Sequence, residues 1–171
     1  MAKYSKLGKN EQKHLAQLAG CFVVIAGQPN HPMREVARWA IREILWRWTA
    51  DGVKTSGFVR VDAIKYDAKV HPSTAAARRL FAKLGKKGLR HDHVVPRKML
   101  ADRMIEQNMD AQKILRFLRR FCHAAIVTTK EHDKLKPRDQ MPLGWTWRDG
   151  DPFARYTCSS IRLRRPPAAK R

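Results

Sequence analysis

An apolar pattern with the period of an α-helix, between residues 33 and 48, constrains the fold of this chain more than any other feature. Apolar side chains recur there three, four, seven and eight residues apart, so they line one face of a helix. They are Met33, Val36, Ala37, Ala40, Ile41, Ile44, Leu45 and Trp48. Pro32 suits the first turn of this helix, and the sequence "ADG" predicts its end. Such a face has to be buried, which predicts a mainly helical N-terminal portion over residues 1–80.

Two other segments before residue 89 also favour helix. Residues 10–18 fit a short helix, and the apolar run "CFVVIAG" that follows is either a buried strand or a continuation of that helix, because its length suits both. The segment "HPSTAAARRLFAKLGKKG" predicts a helix that begins at Ser73 or Thr74 and ends at Gly85 or Gly88. Between these helices, "SGFVRVDAIKYDAKV" alternates in the manner of one or two strands.

The second half of the chain has the order strand, helices, strand, helix. The segment "LRHDHVVP" predicts a strand, because Val94 and Val95 favour extended backbone and Pro96 disfavours a helix before it. The segments "RKMLADRMIEQNM" and "DAQKILRFLRRFC" predict two helices, the second capped by Asp110. "AAIVTT" predicts the second strand, and "KEHDKLK" a brief helix stopped by Pro137. The pattern predicts an α+β protein with a helical insertion between two strands.

The charge of the chain indicates a polyanionic partner. Its 36 Lys and Arg residues oppose 15 Asp and Glu residues, which gives a formal net charge of +21. Such an excess repels itself unless a polyanion neutralises it, and nucleic acid is the commonest polyanion in cells. We expect no membrane partner, because the sequence has no run of about 18 apolar residues.

The cysteines and the N-terminal sequence argue against several classes of protein. The segment "MAKYSKLGKNEQKH" lacks the apolar core of a signal peptide, so a cytoplasmic protein is expected. Cys21, Cys122 and Cys158 are far apart and form no C-x-x-C pair, which fits neither a disulfide framework nor a zinc finger. We interpret them as small core residues or as residues without a role in the chemistry.

Four polar residues can be brought together by the predicted strands and the helix after them. His91, Asp92 and His93 lie in the first strand, and His132 lies in the helix that follows the second. Imidazole and carboxylate together suit a divalent metal ion. Adjacent residues of a strand point opposite ways, but near Pro96 the chain turns, so that one of Asp92 and His93 can bind the ion while the other faces a water molecule. His132 would complete the protein ligands.

In this order the segments resemble the HNH endonuclease family, also called the ββα-metal or His-Me finger family. "DHVVPRKML" looks like the first family motif, Asp-His-Ile/Val-x-Pro, and "IVTTKEHDKL" looks like the second half, in which a Val-Thr strand end leads to a helix bearing His or Asn. The chain is also similar to uncharacterised phage and bacterial HNH-like proteins that carry "HDHVVP" and later elements matching "MPLGW" and "DPFARY" here. The resemblance covers about residues 85–160 and implies a ββα-metal core over residues 81–160. Residues 161–171 have too little apolar content to pack, which predicts a flexible basic tail.

The resemblance implies a role for each polar residue. Asp92 and His132 would bind one divalent ion, Mg²⁺ or Mn²⁺ first, with Zn²⁺ or Ni²⁺ as further choices, and His93 would be the general base that activates water. For His91 three alternatives stay open: it contacts the substrate, it supports the ligands through hydrogen bonds, or it simply faces solvent. Where the family usually has Asn, near the start of the second strand, this chain has His123, which is either the bracing residue or a core histidine.

The function implied is metal-dependent hydrolysis of phosphodiester bonds in nucleic acid, DNA before RNA, in a bacterial or phage-encoded protein. The predicted phosphate-binding residues are Arg97, Lys98, Arg90, Lys87, Arg119 and Arg120. No base-reading module is recognisable, so sequence specificity is expected to be weak or to come from a protein partner. The alternative is a non-catalytic nucleic-acid-binding protein that keeps the HNH-like fold, such as a phage inhibitor or regulator. A small basic ribosome-associated protein would explain the charge but not "HDHVVP".

Overall fold

The computed structural model describes residues 4–54, 59–136 and 139–166, and within these ranges the chain is a mixed α+β protein, as predicted. Its helices are α1 (Lys9–Ala26), α2 (Arg34–Ala50), α3 (Ala75–Leu84), α4 (Arg97–Glu106), α5 (Ala111–Phe121), α6 (Thr129–His132) and α7 (Ala154–Cys158). Its strands are β1 (Ser5–Lys6), β2 (Gly52–Val53), β3 (Val59–Arg60), β4 (Leu89–His93) and β5 (Ala124–Thr128). No helix in these ranges is both long and apolar enough to cross a membrane.

The chain divides into two compact units. The first, called here the helical unit, comprises Met1–Ile64 and Arg97–Cys122. The second, called the strand-pair unit, comprises Lys65–Pro96 and His123–Arg171. The helices α4 and α5 follow β4 and precede β5 in the sequence, so the predicted helical insertion belongs to the helical unit.

In the helical unit, α1 packs against α2 and α5, and α2 packs against α4. The apolar run "CFVVIAG" continues α1, because Val23 and Ala26 extend the buried face that Ala16 and Ala19 begin at helical spacing. The cap predicted for α5 is also present, since the Asp110 side chain accepts a hydrogen bond from the backbone N–H of Lys113 at 2.8 Å. A small antiparallel sheet in the order β1-β2-β3 completes the described part of this unit.

The apolar face predicted for α2 is buried at Ala37 and from Ile41 onward, Ala40 is partly exposed, and the first two members are exposed. Met33 is 49% exposed and Val36 is 48% exposed, so the prediction is wrong for both. Met33 precedes the helix, which begins at Arg34. Val36 is turned by about 100° from the neighbouring Ala37, which lies at the centre of the buried stripe.

The strand-pair unit is built on β4 and β5, which are antiparallel with Leu89 opposite Thr128 and His93 opposite Ala124. The helix α3 packs on both strands, and its cap is Thr74, whose side chain accepts a hydrogen bond from the Ala77 N–H at 3.0 Å. Gly88 leads into β4 with φ of +75°, a conformation that glycine adopts without strain.

Two features predicted for the strand-pair unit, the basic tail and the end of α6, lie only in part within the described residues. Arg164, at the start of the predicted basic tail, exchanges two backbone hydrogen bonds with Ser73, of 3.0 and 2.9 Å. Residues 167–171 of that tail lie outside the described residues. The brief helix α6 ends at His132, and Pro137, predicted to stop it, also lies outside the described residues.

The three cysteines should differ sharply in their reaction with a thiol reagent. Cys122 is buried, and burial raises the pKa of its thiol far above the ordinary value, so it should not react in the native state. Cys21 and Cys158 are exposed and should react at the rate of free cysteine. A timed titration with a chromogenic disulfide should therefore show two fast thiols, and the third only after denaturation. Three fast thiols in the native protein would contradict the placement of Cys122.

Candidate functional site

The strand β4 distributes the "LRHDH" residues between two faces. Leu89, His91 and His93 are buried, whereas Arg90 is exposed and Asp92 is intermediate. Side chains alternate along a strand, so Asp92 points away from the face that carries His91 and His93. The ring centroids of His91 and His93 lie 5.6 Å apart, in agreement with their shared face.

The helix α6 carries His132 and is fixed at its first turn by a capping box. The Thr128 side chain accepts from the Glu131 N–H, and the Glu131 carboxylate accepts from the Thr128 N–H at 2.9 Å. The same carboxylate accepts from the Thr74 hydroxyl at 2.8 Å, which ties α6 to the start of α3. Glu131 therefore holds the helix that presents His132, and its carboxylate is occupied by these donors.

Asp92 and His132, the two predicted metal ligands, lie side by side. The His132 Nε2 atom is 3.4 Å from the Asp92 Oδ1 atom, and the two side chains are 26% and 12% exposed. The strand pair and the helix after it thus bring together two residues that are 40 positions apart in the sequence. One side of the pair remains open to solvent through His132.

Two further residues of the site come from α7 and were not predicted as site residues. The Tyr156 hydroxyl donates a short hydrogen bond to Asp92 Oδ2. The Arg155 guanidinium is 2% exposed; it donates to the His93 carbonyl at 3.1 Å and lies 3.6 Å from Asp92 Oδ2. Arg155 therefore connects the backbone of His93 with the carboxylate of Asp92. The sequence signal for both was the "ARY" of "DPFARY".

These partners keep Asp92 ionised. Burial by itself would raise the pKa of the Asp92 carboxyl, but the hydrogen bond with His132, the charge of Arg155 and the Tyr156 hydroxyl together hold that pKa below its ordinary value. Burial, together with the charge of Asp92, raises the pKa of Tyr156 well above its ordinary value. At neutral pH, Tyr156 is thus a hydrogen-bond donor to a carboxylate.

A row of three buried histidines lies on the other face of β4. The His91 ring centroid is 5.1 Å from that of His71 and 5.6 Å from that of His93, and both contacts are edge-to-face. The three side chains are between 3% and 8% exposed. His71, to which the sequence assigned no role, therefore belongs to this row, and His93, the predicted general base, is among its members.

His123 directly precedes β5, where the family that the sequence resembles usually has Asn. Its carbonyl accepts a hydrogen bond from the Val94 N–H at 3.0 Å, directly after β4. Its ring stacks on Phe153, with centroids 6.0 Å apart and an interplanar angle of 16°. The residue thus contacts the backbone that follows His93, and it joins that turn to the segment before α7.

The six predicted phosphate-binding residues are divided between the two units. Lys87 and Arg90 belong to the strand-pair unit, and both are exposed. Arg90 is two residues from Asp92 in β4 and so shares its face of the strand. The other four, Arg97, Lys98, Arg119 and Arg120, belong to the helical unit.

All four of those residues have partners inside the helical unit, and the Arg120 guanidinium lies over the Phe121 ring, 4.9 Å from its centroid. Arg97 lies over the Trp46 ring, 5.2 Å from its centroid, and donates to the Arg42 carbonyl at 3.2 Å. Lys98 binds Asp102 at 2.8 Å, and Arg119 donates to the Gln12 side chain at 3.0 Å.

The Asp92–His132 pair fits a divalent ion that keeps several water ligands. Two donors about 2.1 Å from one ion lie roughly 3.0–3.4 Å apart at octahedral or tetrahedral angles, and the observed separation is 3.4 Å. Within the described ranges, no group of three or more His, Cys, Asp or Glu side chains could hold an ion. Mg²⁺ needs only one or two protein ligands beside water and phosphate oxygens, so it suits the pair better than Zn²⁺ does.

A carboxylate beside an imidazole also has a second chemical use. The carboxylate can orient the ring, and the ring can then accept or donate a proton near neutral pH. The two uses can be distinguished by experiment, because only metal binding makes an activity depend on a divalent ion.

No family model, curated protein or solved structure is detectably similar to this chain.

Proposed function

We propose that this protein is a divalent-metal-dependent endonuclease with an HNH-like, ββα-metal core formed by β4, β5 and α6. The observation that carries the proposal is the 3.4 Å separation of the Asp92 and His132 donor atoms. The two atoms are brought together because β4 pairs with β5 and the helix α6 follows β5 directly. The resemblance assigns the metal ligands to the same two elements, the first strand and the helix. The net charge of +21 supports a nucleic-acid substrate.

In this proposal, Asp92 Oδ1 and His132 Nε2 hold the ion, which supplies charge neutralisation at the scissile phosphate when it is bound. Arg155 and Tyr156 fix the Asp92 carboxylate through its other oxygen atom and keep it ionised. The resemblance assigns the general base to His93, although β4 directs its side chain to the face opposite Asp92, and the hydrogen bond from Arg155 to its carbonyl fixes its backbone.

The basic residues of the strand-pair unit extend the proposed site. Arg90 projects on the Asp92 side of β4 and would contact a phosphate next to the scissile one. The substrate proposed is DNA, cut with little sequence preference unless a partner supplies it. The protein is proposed to act in the cytoplasm of a bacterium, whether host-encoded or phage-encoded.

Cleavage of a supercoiled plasmid tests the proposal. We expect nicking with Mg²⁺ or Mn²⁺, no nicking in EDTA, and a loss of about a hundredfold or more in His93→Ala, in the range of general-base catalysis. His93→Ala should bind the plasmid as the wild type does. Nicking at the wild-type rate by His93→Ala would overturn the role of His93, and nicking in EDTA would favour proton transfer by the Asp92–His132 pair without a metal.

A second function, binding of nucleic acid without cleavage, is favoured by two observations. The Asp92 carboxylate already interacts with His132, Arg155 and Tyr156, so its charge is neutralised within the protein. His93 is only 6% exposed, which restricts the access of water to a general base. This function predicts tight, salt-sensitive binding with no cleavage in the presence of any divalent ion.

A further inference from the structure

The strand-pair unit contains a pocket of about 830 Å³, within the range of about 300–1,000 Å³ that is usual for small-ligand sites. Its apolar lining includes Phe153, Ile161 and Leu163. Its charged lining consists of Arg162, Arg164 and Arg165, together with the carboxylate of Asp151. A pocket with an apolar wall and three guanidinium groups suits a ligand that has a flat apolar part and several negative charges.

The segment that carries the three arginines is fixed at its backbone. Arg164 exchanges two backbone hydrogen bonds with Ser73, of 3.0 and 2.9 Å. The Arg78 guanidinium donates to the carbonyls of Arg164 and Arg165 at 3.4 and 3.5 Å, and its Nε donates to the Ser73 hydroxyl at 2.7 Å. The three arginine side chains are nevertheless exposed, so their charges are available on a rigid support.

The acidic residue of the pocket has a structural partner. The Asp151 Oδ1 atom accepts a hydrogen bond from the Phe153 N–H at 3.0 Å, which shapes the turn before α7. The same turn positions the Phe153 ring, which stacks on His123 and is partly exposed. The charges that line the pocket are three positive and one negative, so the pocket favours an anion.

The pocket adjoins the proposed metal site through one side chain. Tyr156 lines the pocket, and its hydroxyl donates to the Asp92 carboxylate. Tyr156 is therefore a residue that the pocket and the Asp92 site share.

We propose that this pocket binds an unpaired nucleotide of a nucleic-acid strand, with the base against Phe153 and Leu163 and the flanking phosphates on Arg162, Arg164 and Arg165. A base in a duplex is stacked on its neighbours and cannot reach an apolar wall inside a pocket, so the preferred ligand is single-stranded or frayed nucleic acid. This inference rests on the proposed function only in taking nucleic acid as the substrate. It narrows that substrate to a strand with an accessible base.

Fluorescence anisotropy in EDTA tests the pocket without any dependence on cleavage. The probes are a labelled oligothymidylate, an abasic strand with the same number of phosphates, and a duplex. Wild-type protein should bind the oligothymidylate about tenfold more tightly than the abasic strand, as expected for stacking of one base. Phe153→Leu keeps an apolar side chain without the aromatic face, and it should lose most of this preference while its salt dependence stays unchanged.

The arginines are tested by the double variant Arg162→Ala/Arg165→Ala. It should bind the oligothymidylate at least about tenfold more weakly. The negative slope of log K against log salt should become shallower by about 1.4, since each phosphate contact with a single strand contributes about 0.7 to its magnitude. The matched control is Arg79→Ala/Lys83→Ala, which removes two exposed charges of the same unit outside the pocket. It should change the affinity by about twofold or less.

Two results would overturn the proposal. One is equal affinity of the wild type for the oligothymidylate, the abasic strand and the duplex, which would indicate a general polyanion surface. The other is an equal effect of the two double variants. Base-dependent binding without plasmid cleavage would support nucleotide binding in the pocket and reject the nuclease activity. Plasmid cleavage without base-dependent binding would support the nuclease activity and reject nucleotide binding in the pocket.

Discussion

Asp92→Asn is expected to reduce metal-dependent cleavage at least about a thousandfold, because the metal contributes several kcal/mol to stabilisation of the transition state and each factor of ten corresponds to about 1.4 kcal/mol. The amide keeps the size of the side chain and an acceptor for the Tyr156 hydroxyl, but it lacks the negative charge that a divalent ion requires. The measurement is single-turnover cleavage of a plasmid over a range of Mn²⁺ concentrations. Mn²⁺ binding, followed by calorimetry, should weaken in parallel.

His132→Ala provides an independent form of the same test. It removes one proposed ligand but leaves the contacts of Asp92 with Arg155 and Tyr156 in place, so folding should be retained. The control is Asp149→Asn, which removes an exposed carboxylate of the same unit and should cleave at the wild-type rate. Cleavage by His132→Ala or Asp92→Asn within about threefold of the wild type would reject the metal site, provided that circular dichroism shows both variants folded.

The pairing of Asp92 with His132 could be predicted because each residue lies in a short segment with its own signals. Val94, Val95 and Pro96 mark the end of the first strand, and Thr128 marks the junction between the second strand and the helix. β5 and α6 follow each other directly, and strands that are consecutive in the sequence usually pair even across an insertion such as α4 and α5, so few arrangements were available.

The partners of Asp92 from α7 could not be predicted in the same way. Tyr156 is 64 residues from Asp92 in the sequence, and nothing local indicates that a five-residue helix will bury an arginine. Burial of Arg155 is decided by the tertiary position of Asp92 and of the His93 carbonyl. The sequence also could not show that Arg97, predicted to bind phosphate, stacks on Trp46, because this stacking is a tertiary contact. The alternation of a strand, by contrast, already placed Asp92 and His93 on opposite faces.

Arg155→Met is expected to destabilise the protein by about 3–5 kcal/mol at neutral pH, the usual cost of removing one partner from a buried ion pair. The variant keeps the length and apolar stem of the side chain, but it leaves the Asp92 carboxylate without its nearby cation and the His93 carbonyl without its donor. The measurement is urea denaturation followed by circular dichroism. Arg155→Lys keeps the charge and should recover part of the loss.

The pH dependence of this loss identifies Asp92 as the partner. In the wild type the pKa of Asp92 is lower in the folded state than the value of about 3.9 in the unfolded state, so its ionisation stabilises the fold above that pH, and the stabilisation is lost as the pH falls through the folded pKa. Without Arg155 the folded pKa of Asp92 rises, because burial is then opposed by fewer partners. The stability difference between wild type and Arg155→Met should therefore be largest near pH 7, and it should shrink as the pH falls, first through the folded pKa of Asp92 in the variant and then through the lower folded pKa in the wild type. A stability difference that is the same at pH 7 and at pH 3 would show that Arg155 acts through its packing and the His93 carbonyl, and not through the charge of Asp92.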